Sequence, residues 1–404
     1  MCKKFKIISV ILSVSLLGCA CGAKQEEKKA EEGQKPVEES SEEQEEEDSR
    51  QKCLDAIRPY AYSSVEGIEL EPGTYISVIG KSADGDFWAA VEEGAKDAGA
   101  DLDEALGYKG EDKIKIVYSG PGEPEDVDEQ VNILDEELAR YPSALAMSII
   151  DTQSCEVQFD LAAMNDIPVV AFDSASGYQG LMAKVGTDNE AAAQTAASRT
   201  AEAMKERGKV IVLAHDSVSE NGKERTEAFI REIEENHAGI SVANTYYLDQ
   251  LDEKKKNMAD EINAGSYSVE QGVAEGELFE IPSEPVTAED ITDEQVLDYI
   301  LRRNPDVTAI YATNESAVEA ALALCDRMEK KEMVITGFDV NEEIVQALAD
   351  EKIDGIVMQN PYGMGYAAVV AAARSVLSIG NEAEVDTGYT WVTPEMAQKQ
   401  EIAY

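Results

Sequence analysis

From Thr74 onward, short apolar runs alternate with longer amphipathic stretches. Tyr75 to Ile79, Ile114 to Tyr118, Ala144 to Ile150 and Pro168 to Phe172 read as strands. Phe87 to Ala98, Asp126 to Arg140 and Ser154 to Met164 read as the helices between them, the first ending at Gly99. In the second of these, Val127, Val131, Ile133, Leu134 and Leu138 recur near the helical period. The alternation resumes with a helix from Asn189 to Arg207 stopped by Gly208, a strand from Val210 to Ala214 and a helix from Asn221 to Glu235. It continues with strands at Val307 to Ala312, Met333 to Thr336 and Gly355 to Met358, followed by helices at Ser316 to Lys330, Asn341 to Ala349 and Gly363 to Leu377. The strands are continuous apolar runs, not alternating ones, so both of their faces are covered, as in parallel sheets flanked by helices. The prediction is an α/β chain of doubly wound parallel sheets, with about 350 residues, enough for two domains.

Doubly wound sheets bind ligands at the carboxyl ends of their strands, so those ends are where chemistry is sought. Asp151, Asp173 with Ser174, Asn314, Asp339 and Gln359 each follow a predicted strand. Phe87 and Trp88 open the first helix, and Arg225 lies near the start of a later one. Two aromatics with convergent carboxylates, amides and a guanidinium suit a polyol. A sugar ring packs its apolar face on an aromatic ring, and its hydroxyls both donate and accept. Helix capping is the plainer account of Asp339 and Asn314 taken singly, and pairing with Glu224 or Glu227 that of Arg225. Capping does not explain why so many strand ends carry such residues.

The N-terminus adds a compartment. Lys3, Lys4 and Lys6 precede an apolar run from Ile7 to Leu17, too short to span a bilayer and suited to a secretory signal. Leu16-Leu17-Gly18-Cys19 resembles the lipobox of bacterial lipoproteins. That resemblance implies cleavage after residue 18, lipidation of Cys19 and an anchor on the outer face of the cell membrane. Residues 19–72 then read as a lipidated cysteine with a disordered acidic tether, since Ala23 to Arg50 is nearly all Glu, Lys, Gln and Ser. A formal net charge of −47 spread along the chain argues against nucleic acid as a partner. Two histidines, His215 and His237, form no zinc spacing with the cysteines. Neither a metal nor a cofactor is called for, and Cys155 and Cys325 read as buried free thiols.

Several segments carry a family resemblance. They are Asp86-Phe87-Trp88, the run Ile167 to Asp173, Gly186-Thr187-Asp188-Asn189, the run Lys223 to Phe229, the run Tyr311 to Glu315, and Thr336-Gly337-Phe338-Asp339. In this order the chain resembles type I periplasmic binding proteins of the ribose/galactose class from about Thr74 to Thr393. The resemblance implies two lobes joined by a hinge that the chain crosses three times. One lobe would comprise 73–187 with 360–387, the other 188–359 with 388–404. It implies ligand contacts from Phe87, Trp88, Asp173, Arg225, Asn314, Asp339 and Gln359, with Ser148 or Asp151 at the third strand's end. It implies a monomeric, non-enzymatic receptor that delivers a monosaccharide to an ABC permease. A sensory co-receptor presenting its ligand to a membrane histidine kinase would carry the same pocket, and a nucleoside, inositol or signalling furanose would fit the same chemistry.

The sequence departs from that class in places. Asp173-Ser174 stands where ribose receptors carry Asp-Arg, which puts a pentose in doubt. Asp101 to Lys113 is longer than usual. Residues 265–293 form an acidic insertion that reads as a solvated surface excursion or a partner contact. No Gly-x-Ser-x-Gly elbow and no phosphate-binding Gly-x-x-x-x-Gly-Lys loop occurs, so the reading is of a binding protein, not an enzyme.

Overall fold

The computed structural model describes residues 38–270, 280–400 and 402. Its first sheet contains β1 (Tyr75–Ile79), β2 (Lys115–Ser119), β3 (Ala144–Met147), β4 (Val169–Phe172), β5 (Leu181–Gly186) and β11 (Glu384–Asp386). The second contains β6 (Gly208–Ala214), β7 (Ile240–Tyr247), β8 (Val307–Ala312), β9 (Val334–Phe338), β10 (Gly355–Gln359) and β12 (Tyr389–Val392). The strand orders match: β11-β5-β4-β3-β1-β2 in one sheet and β12-β10-β9-β8-β6-β7 in the other. Every pairing is parallel except that of β12 with β10. The helices are α1 (Glu38–Ala56), α2 (Asp86–Leu106), α3 (Val127–Leu138), α4 (Glu156–Met164), α5 (Asn189–Ala203), α6 (Glu220–Asn236), α7 (Leu251–Asn263), α8 (Asp293–Arg303), α9 (Glu315–Arg327), α10 (Glu342–Ala349), α11 (Pro361–Val376) and α12 (Pro394–Gln398).

Each sheet is buried on both faces because its strands are apolar at successive positions. Val170 and Phe172 of β4 join one cluster with Ile76 and Val78, while Val169 and Ala171 join another with Leu145 and Met147. In the second sheet Ile211 and Leu213 face one cluster, and Val210 and Val212 the other. The two-lobed, doubly wound architecture follows from this period-two division of fully apolar strands.

The chain passes between the sheets after β5, after β10 and between β11 and β12. Helix α11 returns to the first sheet and crosses α2 at very short range. A Cβ on Gly365 would lie 1.9 Å from the Val91 carbonyl oxygen, and one on Gly94 2.0 Å from that of Tyr362. Only glycine allows this approach.

Several expectations need correction. Residues 46–72 do not belong to a disordered tether. Leu54, Ile57, Tyr62, Ile68 and Leu70 are buried in the core of the first lobe, and Arg50 Nη2 lies 2.6 Å from Asp101 Oδ2. Apolar residues too few to make a core of their own are enough to join an existing one. Residues 19–37 lie outside the described residues, as does the signal segment. Helix α2 runs past Gly99 to Leu106, because Gly99 is the point where the helix abuts Ile116 and not its end. The 265–293 insertion is not wholly a solvated excursion: Tyr267 and Ile291 are buried in the second lobe's core, and Asn263 exchanges hydrogen bonds with the backbone of Val286. Residues 271–279 are outside the described residues. Cys155 and Cys325 are buried free thiols and Cys53 is a half-buried one; burial pushes Cys155 up to about 12 and Cys325 to about 11.

Candidate functional site

The carboxyl edges of the two sheets face one cavity of about 100 Å³. Lys81, Phe87, Trp88, Glu125 and Asp173 line it from the first lobe, and His215, Asn221, Arg225, Asn314, Glu315, Asp339 and Gln359 from the second. A larger hollow of about 390 Å³ lies beside α1 and α2, but its wall holds no strand end.

Two strand-end aspartates anchor the polar walls. Asp173 directly follows β4 and is buried. Its Oδ2 accepts from Ser148 Oγ at 2.8 Å and lies 3.7 Å from Lys81 Nζ. Its Oδ1 accepts from Asn221 Nδ2 across the cleft at 3.5 Å. Asp339 directly follows β9, and its Oδ1 accepts from Gln359 Nε2 at 2.8 Å. Thr187 Oγ1 in turn donates to Gln359 Oε1 at 2.8 Å, which orients that amide. Burial raises the Asp339 carboxyl above its ordinary value, and Arg225 and Gln359 only partly oppose it.

Arg225 is 1 % exposed despite its charge. Its Nε donates to Asn189 Oδ1 at 2.8 Å and its Nη1 to the Thr313 carbonyl at 2.9 Å. The guanidinium lies 4.3 Å over the Phe338 ring, and Asp339 Oδ2 is 3.7 Å from Nη1. Nη2 is buried without a protein acceptor. A buried donor left open is costly unless something fills it, so this atom is a natural point for a ligand oxygen.

The aromatic wall is a step. Phe87 and Trp88 meet edge to face at 5.0 Å, and Trp88 meets Phe172 at 6.4 Å. Both Phe87 and Trp88 are half-buried and line the cavity, which leaves aromatic surface able to receive an apolar one.

Seven of the residues singled out from sequence line the cavity: Phe87, Trp88, Asp173, Arg225, Asn314, Asp339 and Gln359. Three do not. Ser148 stands behind Asp173 as its donor. Ser174 is fully buried and its hydroxyl has no partner. Asp151 turns away from the cavity: its Oδ1 accepts from the Gln153 and Ser154 N–H groups and the Ser154 hydroxyl. Burial raises its pKa, but these bonds outweigh it and hold the carboxyl below its ordinary value. Asn314 is both a cavity residue and a cap, accepting from Ala317 N–H at 2.9 Å. Asp339 caps nothing; Asn341 does that for α10.

Lys81, Glu125, His215, Asn221 and Glu315 were not anticipated. Lys81 and His215 sit just past the ends of β1 and β6, where the strand-end rule would have found them. Asn221 lies in the first turn of a predicted helix, and Glu315 directly follows Asn314. Nothing local marks Glu125. It lies with His215 and Asp216 close enough to suggest a metal, but both imidazole nitrogens are engaged, Nδ1 with Thr313 Oγ1 at 2.6 Å and Nε2 with Asp216 Oδ2 at 3.1 Å. Burial alone would raise Asp216, but His215 and the Ser219 N–H hold it far below its ordinary value.

Two parallel sheets that present polar residues and aromatics to one shared cavity define a two-lobed binding protein. The chain belongs to the periplasmic binding protein family: the periplasmic binding protein domain matches residues 76–276 and 268–380. This is a family of extracytoplasmic binding proteins, not enzymes. The chain is 20 % identical over 299 residues to the ribose import binding protein of Escherichia coli (strain K12), spanning 74 % of this chain and 83 % of the relative. It is 22 % identical over 310 residues to the protein of the same name from Haemophilus influenzae, spanning 77 % and 88 %. Among solved structures it is similar to a carbohydrate transporter solute binding protein from Agrobacterium radiobacter in complex with D-arabinose, with a TM-score of 0.63 and 22 % identity over 81 % of this chain and 97 % of that one. It is likewise similar to an ABC transporter solute binding protein from Agrobacterium vitis bound with alpha-D-tagatopyranose, with a TM-score of 0.64 and 20 % identity over 81 % and 97 %. Among the described residues no helix is long and apolar enough to cross a membrane.

Proposed function

We propose that the protein captures a small neutral polyol, most naturally a monosaccharide, between its lobes and delivers it to an ABC permease. One observation carries this reading. A half-exposed aromatic step, two strand-end carboxylates and a buried guanidinium with an open donor converge on one cavity, the mixture that a ring with hydroxyls requires. The names of the relatives, ribose import proteins and solute binding proteins of ABC transporters with pentose and ketohexose ligands, support a sugar and favour import over sensing. The contacts divide between a first lobe of residues 73–187 with 360–387, joined by 46–72, and a second of 188–359 with 388–404, so a ligand that touches both favours closure. Phe87, Trp88, Asp173, Arg225, Asn314, Asp339 and Gln359 are the proposed contacts, joined by Lys81 and Asn221. Lys81 brings a cation to Asp173 where Ser174 supplies none.

The Leu16-Leu17-Gly18-Cys19 segment supports a protein held to the outer face of the membrane through lipid on Cys19. Cys19→Ser should release the protein from the membrane fraction into the medium, and a variant that stays membrane-bound would refute the anchor.

A thermal-shift panel of monosaccharides, polyols and nucleosides tests the ligand class. Ligand at 100 times Kd adds about 2.7 kcal/mol, a readily measured shift. Silence from every neutral sugar and polyol would overturn the reading.

A further inference from the structure

The first turns of α6 are gripped from the first lobe by groups that do not line the cavity. Lys184 of β5 reaches across, with Nζ 2.9 Å from Glu224 Oε1 and 3.4 Å from Glu220 Oε2. Glu220 Oε2 also accepts the Ala175 N–H, just beyond β4, at 3.1 Å. The three side chains are 22 %, 31 % and 35 % exposed, so their attraction is less screened than that of an ordinary surface pair. Burial alone would lower the Lys184 pKa, but Glu224 and Glu220 outweigh it and raise it.

The contact continues inward. Glu224 Oε2 accepts from Asn189 Nδ2 at 3.1 Å, and Asn189 Oδ1 accepts from Arg225 Nε at 2.8 Å. An unbroken chain therefore runs from Lys184 in the first lobe, through Glu224 and Asn189, to the guanidinium that faces the cavity. None of its links passes through the cavity itself.

We infer that Lys184 is a positioning residue that clasps the two lobes through Glu220 and Glu224, whether or not the cavity is filled, and holds Arg225 in register for the ligand. Apparent affinity scales with the fraction of molecules already in the binding-competent form, so the clasp sets affinity without touching ligand. This consequence rests on the proposed sugar capture; the clasp itself does not.

Small-angle scattering and hydrogen exchange on ligand-free protein test the clasp directly. Lys184→Ala should increase the radius of gyration and speed exchange of the Ala175 amide by roughly tenfold. Raising salt from about 50 to about 500 mM should produce the same change in wild type but little in the variant. The exchanged pair Lys184→Glu with Glu224→Lys should restore compaction, which a merely structural lysine would not allow. Titration with D-ribose, D-arabinose and D-galactose should show a loss of about three- to thirty-fold for whichever binds. A Lys184→Ala protein as compact and as protected as wild type overturns the clasp, whatever the sugar results. A clasp seen by scattering in a protein that binds no sugar overturns the functional reading alone.

Discussion

Asp173 and Asp339 stand at matching positions in the two sheets and share an unusual backbone, with φ of +55° and +73°. Each follows the phenylalanine that ends an inner strand, Phe172 or Phe338, and each donates its N–H at 2.8 Å to a valine carbonyl of the next strand, Val185 or Val357. Positive φ is rare outside glycine, and aspartate and asparagine tolerate it best. The lobes are one scaffold used twice and furnished differently. Phe172 meets Trp88, an aromatic partner, while Phe338 lies under the Arg225 guanidinium. One side offers a ring face and the other a donor fork.

Replacing Asp339 by Ala should weaken sugar binding by roughly 2–4 kcal/mol. Stability should fall as well, by about 1–3 kcal/mol, because Arg225 would remain buried beside a lost countercharge. Asn314→Ala should cost about 1 kcal/mol of stability through its cap in addition to affinity. Calorimetric titration with urea unfolding separates the two effects; normal binding by Asp339→Ala would exclude it from the ligand site.

Trp88→Ala and Phe87→Ala should lose affinity nearly independently of salt, since an apolar contact has no counter-ions to screen. Trp88 and Trp391 are the two tryptophans, and Trp391 lies in β12, away from the cavity. Ligand should change the intrinsic fluorescence of the wild type and of Trp391→Phe, and leave Trp88→Phe silent though still binding. A full response from Trp88→Phe would move the ligand off that ring.

Binding should weaken on acidification at a higher pH than an ordinary carboxylate would require. Burial raises Asp339, so a proton neutralises it early and removes its charge opposite Arg225. Glu315 is also raised, again by burial, whereas Asp216 is held low and stays ionised. Asp339→Asn keeps a residue that tolerates the backbone and should bind more weakly but with a flatter pH profile; Glu315→Gln is the control. An unchanged slope in Asp339→Asn would assign the titration elsewhere.

Gly365→Ala should destabilise the protein. Alanine gains about 1 kcal/mol in a helix interior, but the added Cβ would stand 1.9 Å from the Val91 carbonyl oxygen. Backbone on both helices must part, a strain of about 1–3 kcal/mol or more. Urea unfolding that shows a more stable variant would mean that α2 and α11 do not cross so closely.

The inner strands were legible because burial on both faces writes itself as a continuous apolar run, as in Ala144–Met147 and Val169–Phe172. Of the strands at and near the sheet edges, β2 was legible but β5, β7, β11 and β12 left no such mark. Leu181–Gly186 and Ile240–Tyr247 carry exposed and half-exposed positions, and three or four residues suffice for β11 and β12. Strand ends named Asp173, Asn314, Asp339 and Gln359, since the edge of a parallel sheet is a local property of the strand.

The sequence by itself determined the alternation of strand and helix, the buried strands and half of the cavity's polar residues, because each is encoded in the spacing of near neighbours. Only the tertiary structure decided which of them meet. It placed Asp151 in a turn and Ser148 behind Asp173, brought Lys81 and Asn221 together from positions 140 residues apart, and gave Leu54, Ile57 and Tyr62 a core to join. The physical reason is that convergence depends on the order of strands in each sheet and on how one lobe faces the other, and neither has a period that a linear pattern can carry.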